Sequence, residues 1–108
     1  MEKKVKIIAE AGCNHNGSIK LAYKMIDEAK KAKVDAVKFQ LYSTDHLVTQ
    51  KAKKAKYALL NTSKKQTQYQ MQKKLEFSEQ IHKKLKRYCE QKKIEYMCSA
   101  FDIPSIKI

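Results

Sequence analysis

The chain has 108 residues, 43% hydrophobic and 32% charged, a balance that fits one globular domain and excludes a disordered chain. No apolar run approaches the ~20 residues of a membrane span, and the short apolar stretch after Met1 runs straight into Glu10, so neither a signal peptide nor a membrane segment is expected and the cytoplasm is the expected location. The net charge of +13 is lysine except for Arg87; without arginine forks or interleaved aromatics it reads as solvated surface or anion steering, and nucleic acid is not favoured as a partner.

The first predicted element is a strand, Val5 to Glu10, rich in Val and Ile. A turn follows, Gly12-Cys13-Asn14-His15-Asn16-Gly17, which holds both glycines of the chain. Ser18 is the expected N-cap of a helix ending near Lys33, with Ile19, Ala22, Ile26 and Ala29 on its buried stripe and an Asp27–Lys31 pair on its surface. The next strand, Asp35 to Tyr42, alternates strictly: Val37, Phe39 and Leu41 face one way, Lys38 and Gln40 the other. Ser43 to Gln66, with the lysines at 51 to 56, has no period and is expected to be a long loop with at most a short helical turn.

A helical segment starts near Thr67, breaks at Glu76 to Ser78, and resumes behind Ser78 with Ile81, Leu85, Tyr88 and Cys89 as its buried stripe. The third strand is Ile94 to Ser99, and Pro104 marks the start of another helix. Strand, helix, strand, helix, strand with helix-length crossovers implies parallel strands. The three cysteines, Cys13, Cys89 and Cys98, show no CxxC spacing and read as reduced thiols, with neither a disulfide framework nor a zinc site.

Lys38 and Gln40 on one face of a middle strand fit poorly with a sheet covered on both sides, because a lysine inside a sheet is costly without a counter-charge or a ligand. In a (β/α)8 barrel, inward residues near the C-terminal mouth line the active site. Glu10 ends the first strand above Ile8, and Ser99 ends the third above Met97, so all three strands bring polar residues to one end. A lysine with a hydroxyl suits a phosphate or carboxylate, and a carboxylate with an amide suits sugar hydroxyls. The competing reading is a plain Glu10–Lys38 ion pair between neighbouring strands. His15 is either a ligand or acid–base group, since histidine titrates near neutrality, or a turn histidine bonded within its own loop. His46 and His82 are expected at the surface, and Tyr57 and Tyr69 either cover the mouth or pack beside it.

Ile7 to Gly17, followed by Val37-Lys38-Phe39-Gln40, resembles the sialic-acid synthase family, which includes N-acetylneuraminate, legionaminate and pseudaminate synthases. Leu75 to Ser78 and Tyr96 to Asp102 also match its pattern, so that the resemblance covers essentially the whole chain. It implies the N-terminal part of a TIM barrel, arranged β1-α1-β2-loop-α2-β3 over residues 1–108, without the later barrel strands or the antifreeze-like domain that usually follows. It implies condensation of phosphoenolpyruvate with an N-acetylated amino sugar such as N-acetylmannosamine, with release of phosphate, usually by a homodimer.

Carried over by motif, Glu10 is the candidate catalytic residue, and Lys38 and Ser99 hold the phosphoenolpyruvate phosphate. Gln40, Asn14 and His15 form the sugar side and its loop. Ser99 stands where the family often has threonine. The family's divalent metal, Mn2+ or Mg2+, is bound by residues on later strands, so no metal ligand is assigned within these 108 residues. A barrel takes ~250 residues, which implies a truncated, inactive portion. The alternatives are one chain of a split enzyme, a small binding protein reusing the start of the fold, or a basic nucleic-acid-binding fragment.

Overall fold

A computed structural model of the chain describes residues 5–47 and 67–106, apart from the side chains of His46, Leu47, Ile103 and Pro104. In chain order the elements are β1 (Ile8–Gly12), α1 (Ile19–Lys31), β2 (Ala36–Leu41), α2 (Thr44–Leu47), α3 (Gln68–Leu75), α4 (Glu79–Lys92), β3 (Glu95–Ala100) and α5 (Ile103–Ile106). The strands form a parallel sheet in the order β1-β2-β3. Each strand thus lies beside its predecessor, as in the winding of a barrel rather than of a sheet that reverses direction.

α1 forms where Ser18 caps it, its hydroxyl accepting from Leu21 N at 3.2 Å, and buries Ala22, Ile26 and Ala29. α3 begins with a reciprocal capping box between Thr67 and Gln70, and α4 with Ser78 accepting from Ile81 N. Each long helix turns into its strand through a lysine in the left-handed conformation, Lys33 at φ 60° and Lys93 at φ 59°. Val34 N and Ile94 N then bond back to Ala29 O and Cys89 O, closing both helices the same way. At the bottom of the sheet Ile7 N donates to Asp35 Oδ2 at 2.8 Å, and Lys6 pairs with Glu95.

The core lies between the sheet and the two long helices. Val37, Phe39, Leu85, Cys89, Ile26 and Ala22 are at most 1% exposed. The alternation read for β2 holds: Val37, Phe39 and Leu41 are buried, whereas Lys38 and Gln40 are partly open on the other face.

Several expectations need correction. β1 runs two residues further than expected, to Gly12, with an irregularity after Glu10 that lets Gly12 rather than Ala11 pair with Phe39. Lys31 pairs with Glu28 at 3.3 Å instead of Asp27, because Asp27 accepts from Tyr88 Oη at 2.7 Å across the α1–α4 contact. His82 is buried at 4% exposure, not on the surface, where its Nδ1 lies 2.6 Å from Tyr96 Oη and its ring meets Phe77 edge-on. It takes the stripe position assigned to the partly buried Ile81. The helical turn expected after β2 is α2; positions 48–66, including Tyr57 and Lys51 to Lys56, and the His46 side chain lie outside the described residues.

Candidate active site

Parallel pairing places side chains of one row on the same face of the sheet. The register aligns Glu10 with Lys38 and Met97, and, one step nearer the C-terminal ends, Gln40 with Ser99. The helices cover the opposite face, so Glu10, Lys38, Gln40 and Ser99 share the uncovered one, and none of the four is buried. Glu10 Oε2 lies 3.1 Å from Lys38 Nζ, with the carboxylate side chain 53% and the lysine side chain 32% exposed. A pair that open to water contributes at most about 1 kcal/mol to stability, too little to account by itself for a lysine in the middle strand.

Gly12, at φ +54°, is the hinge of this corner. A Cβ built there would stand 3.5 Å from Glu10 Oε1 and 3.6 Å from Gln40 Nε2, so the carboxylate and the amide flank the same backbone position. On the other end of the Gln40 side chain, Cys13 Sγ donates to Oε1 at 2.9 Å. Periodicity gives no sign of Cys13, because a turn residue has no face to repeat.

Asn14 is exposed, and with Glu10 it lines a groove of about 380 Å³ beside β1 and α1. His15 is placed differently from the ligand-facing expectation. It is 1% exposed and stacks on Phe77 with ring centroids 3.8 Å apart, close to Phe39 on the helix-covered side of β2. Its Nδ1 accepts from Gly17 N at 2.9 Å, the bond within its own loop that was the competing reading. It shapes the turn that carries Cys13 and Asn14, and the structure does not bring its ring to Lys38 and Gln40.

Burial, and to a lesser degree the neighbouring His82, lowers the His15 pKa from 6.5 to about 4. Burial also lowers that of His82, against a raising contact with the Gln40 backbone. Both histidines are therefore neutral in the fold, whereas an unfolded chain protonates them below about 6.5. The His15 contribution to stability is complete above that pH and is lost as pH falls towards 4, and the lowered pKa of His82 acts in the same direction. Denaturant titrations should show a midpoint that declines across this window, and His15→Phe, which keeps the stack, should reduce the slope.

The loops above the strands are tied together by Asp102, Glu76 and Tyr42, to which the sequence gives no role, and by Tyr69. Asp102 accepts from Ser43 N at 2.5 Å and from Ser105 N at 2.8 Å, joining the exits of β2 and β3. Glu76 accepts from Thr44 N at 2.7 Å, and Tyr42 Oη donates to Gln72 O at 2.8 Å. Tyr69 donates to Asp45 at 2.6 Å and so links α3 to α2. Buried N–H groups without such partners would each cost about 1–3 kcal/mol.

Chemically, the open face combines an ammonium, a hydroxyl, an amide and a carboxylate. The first two can hold a phosphate, and the last two can accept from and donate to hydroxyls. On this face Glu10 is engaged with Lys38, and Glu95, at the opposite end of β3, with Lys6. Among the described residues no three His, Cys, Asp or Glu side chains gather into a metal site, so these residues do not by themselves fit a divalent cation. Among the same residues no helix is long and apolar enough to cross a membrane.

Residues 25–108 match the NeuB family. The chain is 45% identical over 100 residues to the N,N'-diacetyllegionaminic acid synthase of Legionella pneumophila, covering 93% of this chain and 28% of that protein. It is 41% identical over 106 residues to the enzyme of the same name from Campylobacter jejuni, 98% of this chain and 32% of that one. The N-acetylneuraminic acid (sialic acid) synthetase of Leptospira borgpetersenii, whose crystal structure is a complex with citrate, superposes with a TM-score of 0.71 at 33% identity, over 97% of this chain and 32% of that chain. The chain thus spans about three tenths of the length of the relatives it matches.

Proposed function

The chain belongs to the NeuB family, and on that premise we propose that it forms the phosphate- and sugar-binding corner of a synthase joining phosphoenolpyruvate to an N-acetylated amino sugar. Its three strands are the opening of a TIM barrel. The observation that carries the reading is the gathering of Glu10, Lys38, Gln40 and Ser99 on the one sheet face that the helices leave uncovered.

In the proposed reaction C3 of phosphoenolpyruvate attacks the aldehyde carbon of the open-chain sugar, and a carbon–carbon bond forms. Water adds at C2 and the C2–O bond to phosphate breaks, leaving a 2-keto acid and inorganic phosphate. Lys38 exchanges part of its contact with Glu10 for the phosphate, and Ser99 Oγ donates beside it. Glu10 accepts from a sugar hydroxyl, Gln40 bonds a second polar group, and exposed Asn14 borders the sugar side of the same corner. A divalent Mn2+ or Mg2+ would supply Lewis acidity at the aldehyde, and none of its ligands is assigned to these 108 residues.

Phosphate release from phosphoenolpyruvate tests the reading. The protein at its full encoded length, given Mn2+ or Mg2+, should release phosphate only when an N-acetylated amino sugar such as N-acetylmannosamine or a diacetylated amino hexose is present. The 108-residue chain alone should release none. A folded full-length protein that releases no phosphate with any such sugar would contradict the proposal.

A further inference from the structure

Gln40 carries an acceptor and a donor on one carbon, and the end that faces the mouth decides what a ligand must offer there. Two contacts on opposite sides of the side chain settle the orientation in this structure. Cys13 Sγ lies 2.9 Å from Oε1, and Nε2 is the Gln40 atom next to Gly12, whose built Cβ would also lie 3.5 Å from Glu10 Oε1. The thiol therefore occupies the acceptor end, and the NH2 group turns towards the Glu10 side of the mouth. The reverse orientation would leave the thiol proton facing an NH2 group, donor against donor.

We propose that Cys13 is a positioning residue that fixes the Gln40 amide with its NH2 group in the mouth, so that this position donates to an oxygen of the amino sugar, either a hydroxyl or the acetamido carbonyl. The inference rests on the function proposed above for its substrate and not for its geometry. The thiol acts as donor only while protonated. Burial raises its pKa, the neighbouring Tyr42 hydroxyl works against that, and the nearby Glu10 charge adds to the increase, so the S–H persists at neutral pH. A cysteine here does what a serine could do, through a weaker donor.

Kinetics and amide orientation test the two halves separately. In the protein at its full encoded length, Cys13→Ala should raise KM for N-acetylmannosamine, or for the amino sugar found to be turned over, by about 3- to 10-fold, the span of one neutral hydrogen bond. The KM for phosphoenolpyruvate should stay unchanged, and Cys13→Ser should return the sugar KM to within about twofold of wild type. In protein labelled with 15N-glutamine, the Gln40 Hε2 protons should show nuclear Overhauser contacts to Gly12 Hα, weakened in Cys13→Ala. Contacts to the Cys13 Hβ protons with none to Gly12 Hα, or an unchanged sugar KM in Cys13→Ala, would overturn the assignment. Should the wild-type protein release no phosphate, the functional reading fails, and the nuclear Overhauser pattern alone decides the role of Cys13.

Discussion

Gly17→Ala should destabilise the protein by about 3 kcal/mol or more and lower its thermal midpoint by roughly 10 °C or more. Two costs coincide at this position. Its φ of +79° disfavours any side chain, and a Cβ there would stand 2.4 Å from the carbonyl oxygen of Lys74, a backbone atom that cannot rotate aside. The collision would push the β1–α1 turn off the end of α3 and pull His15 from its stack on Phe77.

Gly12→Ala provides the control. It shares the positive φ, but its Cβ would make only ordinary contacts at 3.5 and 3.6 Å with side-chain atoms, so about 1 kcal/mol is expected. Circular dichroism melts of the two variants should separate them clearly. Equal stabilities would mean that the turn does not rest on α3 as described.

In the protein at its full encoded length, and for the reaction proposed above, Lys38→Ala should lower kcat/KM for phosphoenolpyruvate by two to three orders of magnitude while leaving the melting temperature nearly unchanged. The asymmetry follows from magnitudes. The Glu10–Lys38 pair is half open to water and contributes at most about 1 kcal/mol to the fold. Removing the cation from a desolvated phosphate contact, by contrast, costs about 2–5 kcal/mol.

Lys83 and Lys86, on the exposed surface of α4, separate a specific contact from general attraction of anions. Substituting either by alanine should change kcat/KM by no more than about twofold, and more at low than at high salt. If Lys38→Ala behaved like these surface variants, Lys38 would be only the partner of Glu10.

The fold was legible where one physical rule acted alone. Ser18 and Ser78 before apolar helical stripes placed both long helices, and the strict alternation from Val37 to Leu41 placed β2 and the open face that bears Lys38 and Gln40. Misreadings fell where a polar residue had two possible partners. His82 was assigned to the surface by its lysine neighbours, yet it lies three and seven residues before Leu85 and Cys89, a helical stripe that could have revealed its burial.

His15 reads equally well as a ligand or as a loop residue from sequence alone. Only the arrival of Phe77 from a segment 62 positions away decides it, and no local pattern encodes that contact. The Cys13–Gln40 bond, across 27 positions, was hidden for the same reason, as were the Asp102 links between the exits of β2 and β3.

A crystal structure of the full-length protein with phosphoenolpyruvate bound tests the central claim most directly. The account predicts phosphate oxygens within about 3 Å of Lys38 Nζ and Ser99 Oγ, on the face shared with Glu10 and Gln40. Phosphoenolpyruvate held elsewhere, with Lys38 still turned wholly to Glu10, would contradict it.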